Sequence, residues 1–149
     1  MSQATQGTPP PVVQRLLDAV NQRDLASLVA CFAEDYTNET PAHPRRGFRG
    51  REQVRRNWTR IFAEVPDVRA RVVRSATDGR TVWTEWRMSG TRRSDEGAFE
   101  MTGPVIYEVV DGLIQSASLF LEPIERDSDD IDAAIRRAVG HRTNPQDNS

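Results

Sequence analysis

The hydrophobic period of this chain changes at Pro66, and that change limits the fold more than any other feature. Upstream, Val13, Leu16, Leu17 and Val20 follow the i, i+3, i+4, i+7 spacing of a one-sided helix. Leu25, Leu28, Val29 and Phe32 repeat it behind Asp24, an N-cap residue. A third stripe of Val54, Trp58, Ile61 and Phe62 spans a helix from Arg51 to about Ala63. Downstream the period is two. Val68, Ala70 and Val72 alternate with arginines, and Val82, Thr84, Trp86 and Met88 alternate with Trp83, Glu85, Arg87 and Ser89. Asp78-Gly79 and Asp111-Gly112 are tight-turn signals. They bound strands at 81–91, about 98–110 and 113–122. Helices first and an antiparallel meander second predict an α+β fold.

The 149 residues suit one domain. Residues 1–11, polar and proline-rich, are expected to be disordered, residues 12–123 to form the domain, and residues 124–149 an acidic extension with a loose tail. In that extension Ser128 is a cap for a short helix striped by Ile131, Ala134, Ile135 and Ala138, with Gly140 as its stop. No apolar run approaches the roughly 20 residues of a membrane span, and the N-terminus lacks a signal-peptide pattern. A cytoplasmic protein is expected. One cysteine, Cys31, excludes an internal disulfide, and two distant histidines argue against a metal site. Neither a metal nor a cofactor is expected.

All twenty basic residues are arginine, which reads as codon bias of a GC-rich bacterial genome. Net charge is −3 over residues 1–44, +9 over 45–93 and −8 over 94–149. Seven arginines lie between positions 45 and 60; Arg45, Arg46, Arg49 and Arg51 flank the loop into the third helix. That loop suits an acidic carrier protein presenting a tethered substrate, or salt bridges to the acidic C-terminal part. No nucleic-acid-binding module accompanies the charge.

The helix pair ending in FAEDYTNETP, the RGFRGREQVRRNW stretch and the strands VWTEWRMSGT and GPVIYEVVDGLIQSASLFLEP together resemble the SnoaL-like branch of the nuclear transport factor two-like superfamily. The resemblance covers about residues 12–123. It implies a cone: a curved antiparallel sheet wrapped around three N-terminal helices, enclosing an apolar pocket, here with an extra short C-terminal helix. It also implies a homodimer, for which Trp83 on the convex face is the candidate contact. The inward set implied by the resemblance includes Val82, Thr84, Trp86, Met88, Met101, Val105, Tyr107, Leu119 and Leu121, with Trp58 closing the helical side.

The superfamily includes ketosteroid isomerases and limonene epoxide hydrolases. Laid over this chain, the isomerase base falls at Thr40 and its tyrosine at Leu16. The hydrolase Tyr-x-Asn pair matches Tyr36 and Asn38, but its Arg and two Asp positions fall at Trp86, Met88 and Leu119. The acid/base aspartate of SnoaL-type cyclases also falls at Leu119. Tyr36, Asn38 and Glu39 are therefore the catalytic candidates. Tyr36 and Asn38 point inward on a period of two, and Glu39 stands beside the isomerase-base position. His43 borders the expected mouth, and a Glu39–Glu64 carboxylate pair is a further candidate. Trp58, Trp86, Met88, Met101, Tyr107, Leu119 and His43 are the candidate substrate contacts.

The expected function leans to an enzyme of secondary metabolism that cyclises or isomerises a hydrophobic polyketide-like molecule by shaping it. The alternatives are a non-catalytic ligand-binding or interaction module on the same fold, and an epoxide hydrolase.

Overall fold

A computed structural model describes residues 5–6 and 9–140. The chain starts with strand β1 (Thr5–Gln6), then helix α1 (Pro11–Gln22), whose proline occupies the first turn, where a missing N–H costs nothing. Val12, Val13, Leu16, Ala19 and Val20 are its buried face. Arg23 in the left-handed conformation ends the helix, and its N–H and that of Asp24 return to the Val20 and Ala19 carbonyls. Asp24 caps α2 (Leu25–Ala30) by accepting from the Ser27 N–H at 3.1 Å.

Phe32 corrects the expected second stripe. It begins strand β2 (Phe32–Glu39) instead of ending α2, and β2 is twice as long as the Tyr36–Glu39 piece expected. Its Cβ fits either period, and packing decides: Phe32 meets Tyr36 edge-on at 4.8 Å between ring centroids. A short strand β3 (Phe48–Arg49) and helix α3 (Arg51–Glu64) follow. Strands β4 (Arg69–Asp78), β5 (Thr81–Thr91), β6 (Ala98–Val110) and β7 (Leu113–Leu119) form the meander. Gly79, at φ +61°, serves the first turn, and Asp111 and Gly112, also at positive φ, serve the last. The final strand is shorter than expected; it breaks after Leu119 and resumes as β8 (Glu122–Pro123), which pairs with β6.

The curved, unclosed sheet has the order β1-β4-β5-β6-β7-β2-β3. One pair departs from the antiparallel pattern: β2 lies parallel to β7, with Asn38 opposite Ala117 and Glu39 opposite Ser118. α3 and the strands β3 to β6 lie between them in sequence, a connection long enough to bring the chain back beside β2 in the same direction. α1 and α2 share one core with the inner sheet face, joined by Val54 of α3. Asn21 ties α1 to β4 by donating to the Ala70 carbonyl and accepting from the Ala70 N–H, at 2.9 and 2.8 Å. The α+β cone expected from the sequence is present.

The last helix, α4 (Ile131–Ala138), is capped by Asp130, not Ser128. No described helix is long and apolar enough to cross a membrane. Within the segment expected to be disordered, Thr5 and Gln6 pair with Thr77 and Ala76 of β4; residues 1–4 and 7–8, and the expected loose tail from His141, lie outside the described residues.

Gly103 shapes the sheet where the site forms. It sits opposite Trp86 at φ +146°, and a Cβ there would run into the carbonyl of Phe120. Gly103→Ala combines backbone strain with a clash against main chain. It is expected to cost about 2–3 kcal/mol in chemical denaturation.

Candidate functional site

An apolar cavity of about 300 Å³ opens between the inner sheet face and the helices. Period-two alternation brings Trp86 and Met88 from β5, Met101, Val105 and Tyr107 from β6, and Tyr36 and Asn38 from β2 to its wall. Leu119 and Leu121 close one side, and Trp58 and Ile61 of α3 another. Trp58 leans on Phe62 at 5.5 Å between ring centroids.

Of the ten candidate site residues, eight line this cavity: Tyr36, Asn38, Trp58, Trp86, Met88, Met101, Tyr107 and Leu119. Glu39 and His43 are not among its lining residues. Glu39 follows inward-facing Asn38 by one residue, so the pleat turns it outward to solvent. His43 is half-buried and its Nε2 meets Glu122 at 2.9 Å, fastening the loop before α3 to β8. Arg46 stands 3.9 Å from the same carboxylate and reaches the cavity rim. Glu64 is engaged elsewhere. The Ser94 N–H donates to it at 3.0 Å, and the Ser94 hydroxyl and N–H hold its carboxyl below the ordinary range. It is not a cavity residue, so it forms no pair there with Glu39.

The cavity's polar groups form a short chain. The Tyr36 hydroxyl donates to Asn38 Oδ1 at 2.8 Å, and Asn38 Nδ2 points at Thr40 Oγ1, 3.4 Å away. Trp86 is 3% exposed, and its indole Nε1–H meets no acceptor among the described residues. It stands near enough to the Tyr107 phenol to lower that group's pKa, without meeting hydrogen-bond geometry. Burial outweighs this and pushes the Tyr107 phenol well above its ordinary value, with the neighbouring Tyr36 adding to the rise. Burial raises Tyr36 as well. No carboxylate lines the cavity among the described residues.

The profile of the SnoaL-like domain matches residues 13–117. The chain belongs to the SnoaL-like family. No curated protein matches the sequence. Among solved structures, this SnoaL-like chain is similar to IdmH, a candidate polyketide cyclase from Streptomyces antibioticus, at 25% identity and TM-score 0.66, covering 78% of this chain and 93% of that one. It is also similar to an LEH-like epoxide hydrolase of M. tuberculosis, at 20% identity and TM-score 0.63, over 74% and 80% of the two chains. A protein of ketosteroid isomerase-like fold from Catenulispora acidiphila aligns at 22% identity and TM-score 0.65, over 74% and 85%. With the last two the likeness is one of fold.

Leu16, Thr40, Trp86, Met88 and Leu119 are the positions onto which the resemblance maps relatives' acids, arginine and tyrosine. All five line the cavity of this SnoaL-like domain. Their chemistry is apolar or neutral. Phe48 and Asn57 are lining residues that were not singled out from the sequence, and Arg46, read there as part of the basic loop, also lines the cavity. Phe48 had a signal, because it is the lone apolar side chain in RRGFRG, and it packs on Tyr36 at 6.0 Å between ring centroids.

The two tyrosines of the chain are both buried cavity residues, and both have raised pKa values. A phenol whose folded pKa exceeds its unfolded value of about 10 favours the native state at lower pH. That contribution is lost as pH rises past the unfolded value toward the folded one. The tyrosinate absorption band should therefore stay silent through about pH 10 and appear only as the alkaline protein unfolds. Asn38→Ala, which strips the buried Tyr36 hydroxyl of its acceptor, should cost about 1–3 kcal/mol in denaturant titration.

Proposed function

We propose that this SnoaL-like protein binds a hydrophobic, carbonyl-bearing polyketide-like molecule in the cavity and promotes its cyclisation or isomerisation by holding it in one reactive shape. The observation that carries this reading is the Trp86 Nε1–H, a donor buried in the wall of an apolar cavity and without an acceptor among the described residues. A buried unsatisfied donor is costly, and a ligand carbonyl that reaches it by a small shift of the cavity wall would remove that cost. The hydrogen bond strengthens as negative charge gathers on that oxygen, which favours an enol-like or ring-closing transition state over the resting substrate.

The lining supplies no carboxylate base, and both phenols are held neutral by burial. The protein's share of catalysis is then orientation by the walls of Trp58, Met88 and Met101 and polarisation by Trp86 and Tyr107. Asn38 and the Tyr36 hydroxyl form the polar end that sets which way round the molecule lies. Arg46 at the rim, beside Arg45, Arg49 and Arg51, supports delivery of the substrate on an acidic carrier protein.

The same lack of a carboxylate favours a second reading, a ligand-binding module without turnover. The Tyr36–Asn38 pair suits water holding in an epoxide hydrolase, but that chemistry needs a base the lining does not provide.

Thermal-shift titration with polyketide ketones, steroids and terpene epoxides, followed by chromatography of the products, separates these readings. A ketone at a hundred times its Kd should add about 2.7 kcal/mol to stability. Trp86→Phe should weaken it at least tenfold while leaving the unliganded fold as stable or slightly more so, because the orphan N–H is gone. Trp83→Phe on the outer face should bind as the parent does. Binding without product favours the module; a diol from the epoxides would overturn the shaping mechanism.

A further inference from the structure

The polar groups of the cavity are graded by depth. Tyr36 and Asn38 of β2 are 2% and 6% exposed, Thr40 just past the strand end is half-buried, and the Arg46 side chain is 60% exposed. All four line the cavity, and Asn57 of α3 joins them from the helical side. The sequence Tyr36, Asn38, Thr40, Arg46 therefore leads from the interior to the mouth. Apart from these residues, the Trp86 N–H and the Tyr107 hydroxyl, the side chains of the lining are apolar.

Arg46 is the one charged residue in the lining among the described residues. Its backbone is well fixed. The His43 N–H donates to the Thr40 carbonyl at 2.7 Å, the Arg46 N–H to the His43 carbonyl at 2.9 Å, and the Gly47 N–H to the Pro44 carbonyl at 3.2 Å. The His43 side chain ties the same turn to Glu122. The guanidinium is barely used. It makes no hydrogen bond among the described residues, and one of its nitrogens stands 3.9 Å from Glu122. A guanidinium carries five N–H donors in a planar fork, so nearly all of its capacity is left for a ligand. Asn57 adds a further donor. Its Oδ1 accepts from Gln53 at 2.8 Å, and its Nδ2 meets no acceptor among the described residues.

Glu122 is the one carboxylate in ion-pair range of Arg46 among the described residues. It lies closer to His43, at 2.9 Å, and does not line the cavity. Glu52, in the first turn of α3, pairs with Arg55 at 3.5 Å. The mouth thus offers donors and a positive charge on a turn that is already in place, and the interior offers no charge at all.

We propose that the molecule held in this cavity carries an oxyanion, which Arg46 binds at the mouth with help from Asn57 while the apolar body fills the interior. The inference rests on the small-molecule reading above and narrows its substrate class to amphipathic anions. A charge carried into the apolar interior would lose its hydration without a partner, so the anionic end stays at the rim and fixes which way round the molecule enters. The guanidinium fork suits a carboxylate or phosphate through two parallel hydrogen bonds. Arg46 is then a specificity residue, apart from the carbonyl chemistry at Trp86. The oxyanion is either the substrate's own carboxylate or the phosphate of a carrier's tethering arm.

Isothermal titration calorimetry of the full chain with two matched pairs of probes tests the proposal and separates the two sources. Octanoate and octanol differ in the charged head; S-octanoyl phosphopantetheine and S-octanoyl pantetheine differ in the phosphate. The parent should bind the charged member of one pair about tenfold more tightly, a modest factor because Arg46 faces water. Arg46→Gln should erase that preference and leave the uncharged member bound as in the parent, with an unchanged circular dichroism melt. Glu122→Gln keeps an acceptor for His43 and removes the competing charge, so it should tighten the charged member alone. A preference in the first pair assigns the anion to the substrate, and one in the second pair alone assigns it to the arm. The proposal is overturned if neither pair discriminates, if Arg46→Gln keeps the preference, or if Glu122→Gln weakens the charged member. Octanone keeps this failure distinct from that of the cavity reading. A ketone that binds through Trp86, with no preference for either anion, overturns the oxyanion alone; no binding of any probe overturns both.

Discussion

The ladder between β5 and β6 carries the rest of the molecule. It runs from Thr81 opposite Glu108 to Thr91 opposite Ala98 without a shift of register, while the flanking pairs β4–β5, β6–β7 and β2–β7 each contain one. An unbroken ladder fixes which side chains face inward, since a slip of one residue would turn every one of them outward. The irregularities on either side let the sheet curve around that straight spine. Gly103 lies on it opposite Trp86, and the missing Cβ lets the Phe120 backbone cross close to β6. The wall that holds the orphan indole and the bend that encloses it are therefore one local arrangement.

The cavity's character follows from what that spine presents. An apolar enclosure strengthens each hydrogen bond made inside it and penalises each one left unmade. Tyr36 and Asn38 satisfy one another, both phenols stay neutral, and Trp86 alone among the buried polar side-chain atoms of the described residues is left without a partner. A site of this kind, with no carboxylate in its lining among the described residues, is poor at abstracting protons. The loop that frames its mouth is positioned by His43 and Arg46 on Glu122, so charge sits at the rim and is kept out of the interior.

The charge asymmetry of the chain also has a spatial form. Among the described residues, few ion pairs link the basic middle to the acidic C-terminal part: Arg46 meets Glu122, and Arg92 meets Asp95 close by in sequence. Arg55 with Glu52 is a contact within the basic middle itself. Arg71 and Arg87 keep a directly opposed register on the outer face, where water and salt screen them in the isolated chain.

Three kinds of information were legible in the sequence to different depths. Helix stripes, period-two strands and turn pairs are local, repeated over many residues, and redundant; β5 and β6 were read to their ends for that reason. Phe32 was misplaced because one apolar residue at a junction fits both periods, and only its contact with Tyr36 decides between them. Glu39 was read beside Thr40 in sequence, yet adjacent residues on a strand face opposite ways. The parallel return of β2 against β7 leaves no local signature at all, because it is a relation between segments some eighty positions apart. The sequence by itself determined the elements, the α+β class and the uncharged identity of the positions onto which the resemblance maps relatives' acids. Only the tertiary structure decided that those positions converge on one cavity, that Trp86 is buried there without an acceptor among the described residues, and that the apolar stripe of α4 and Trp83 are both exposed. Convergence and satisfaction depend on distances between residues far apart in the chain, and spacing along a sequence does not encode those distances.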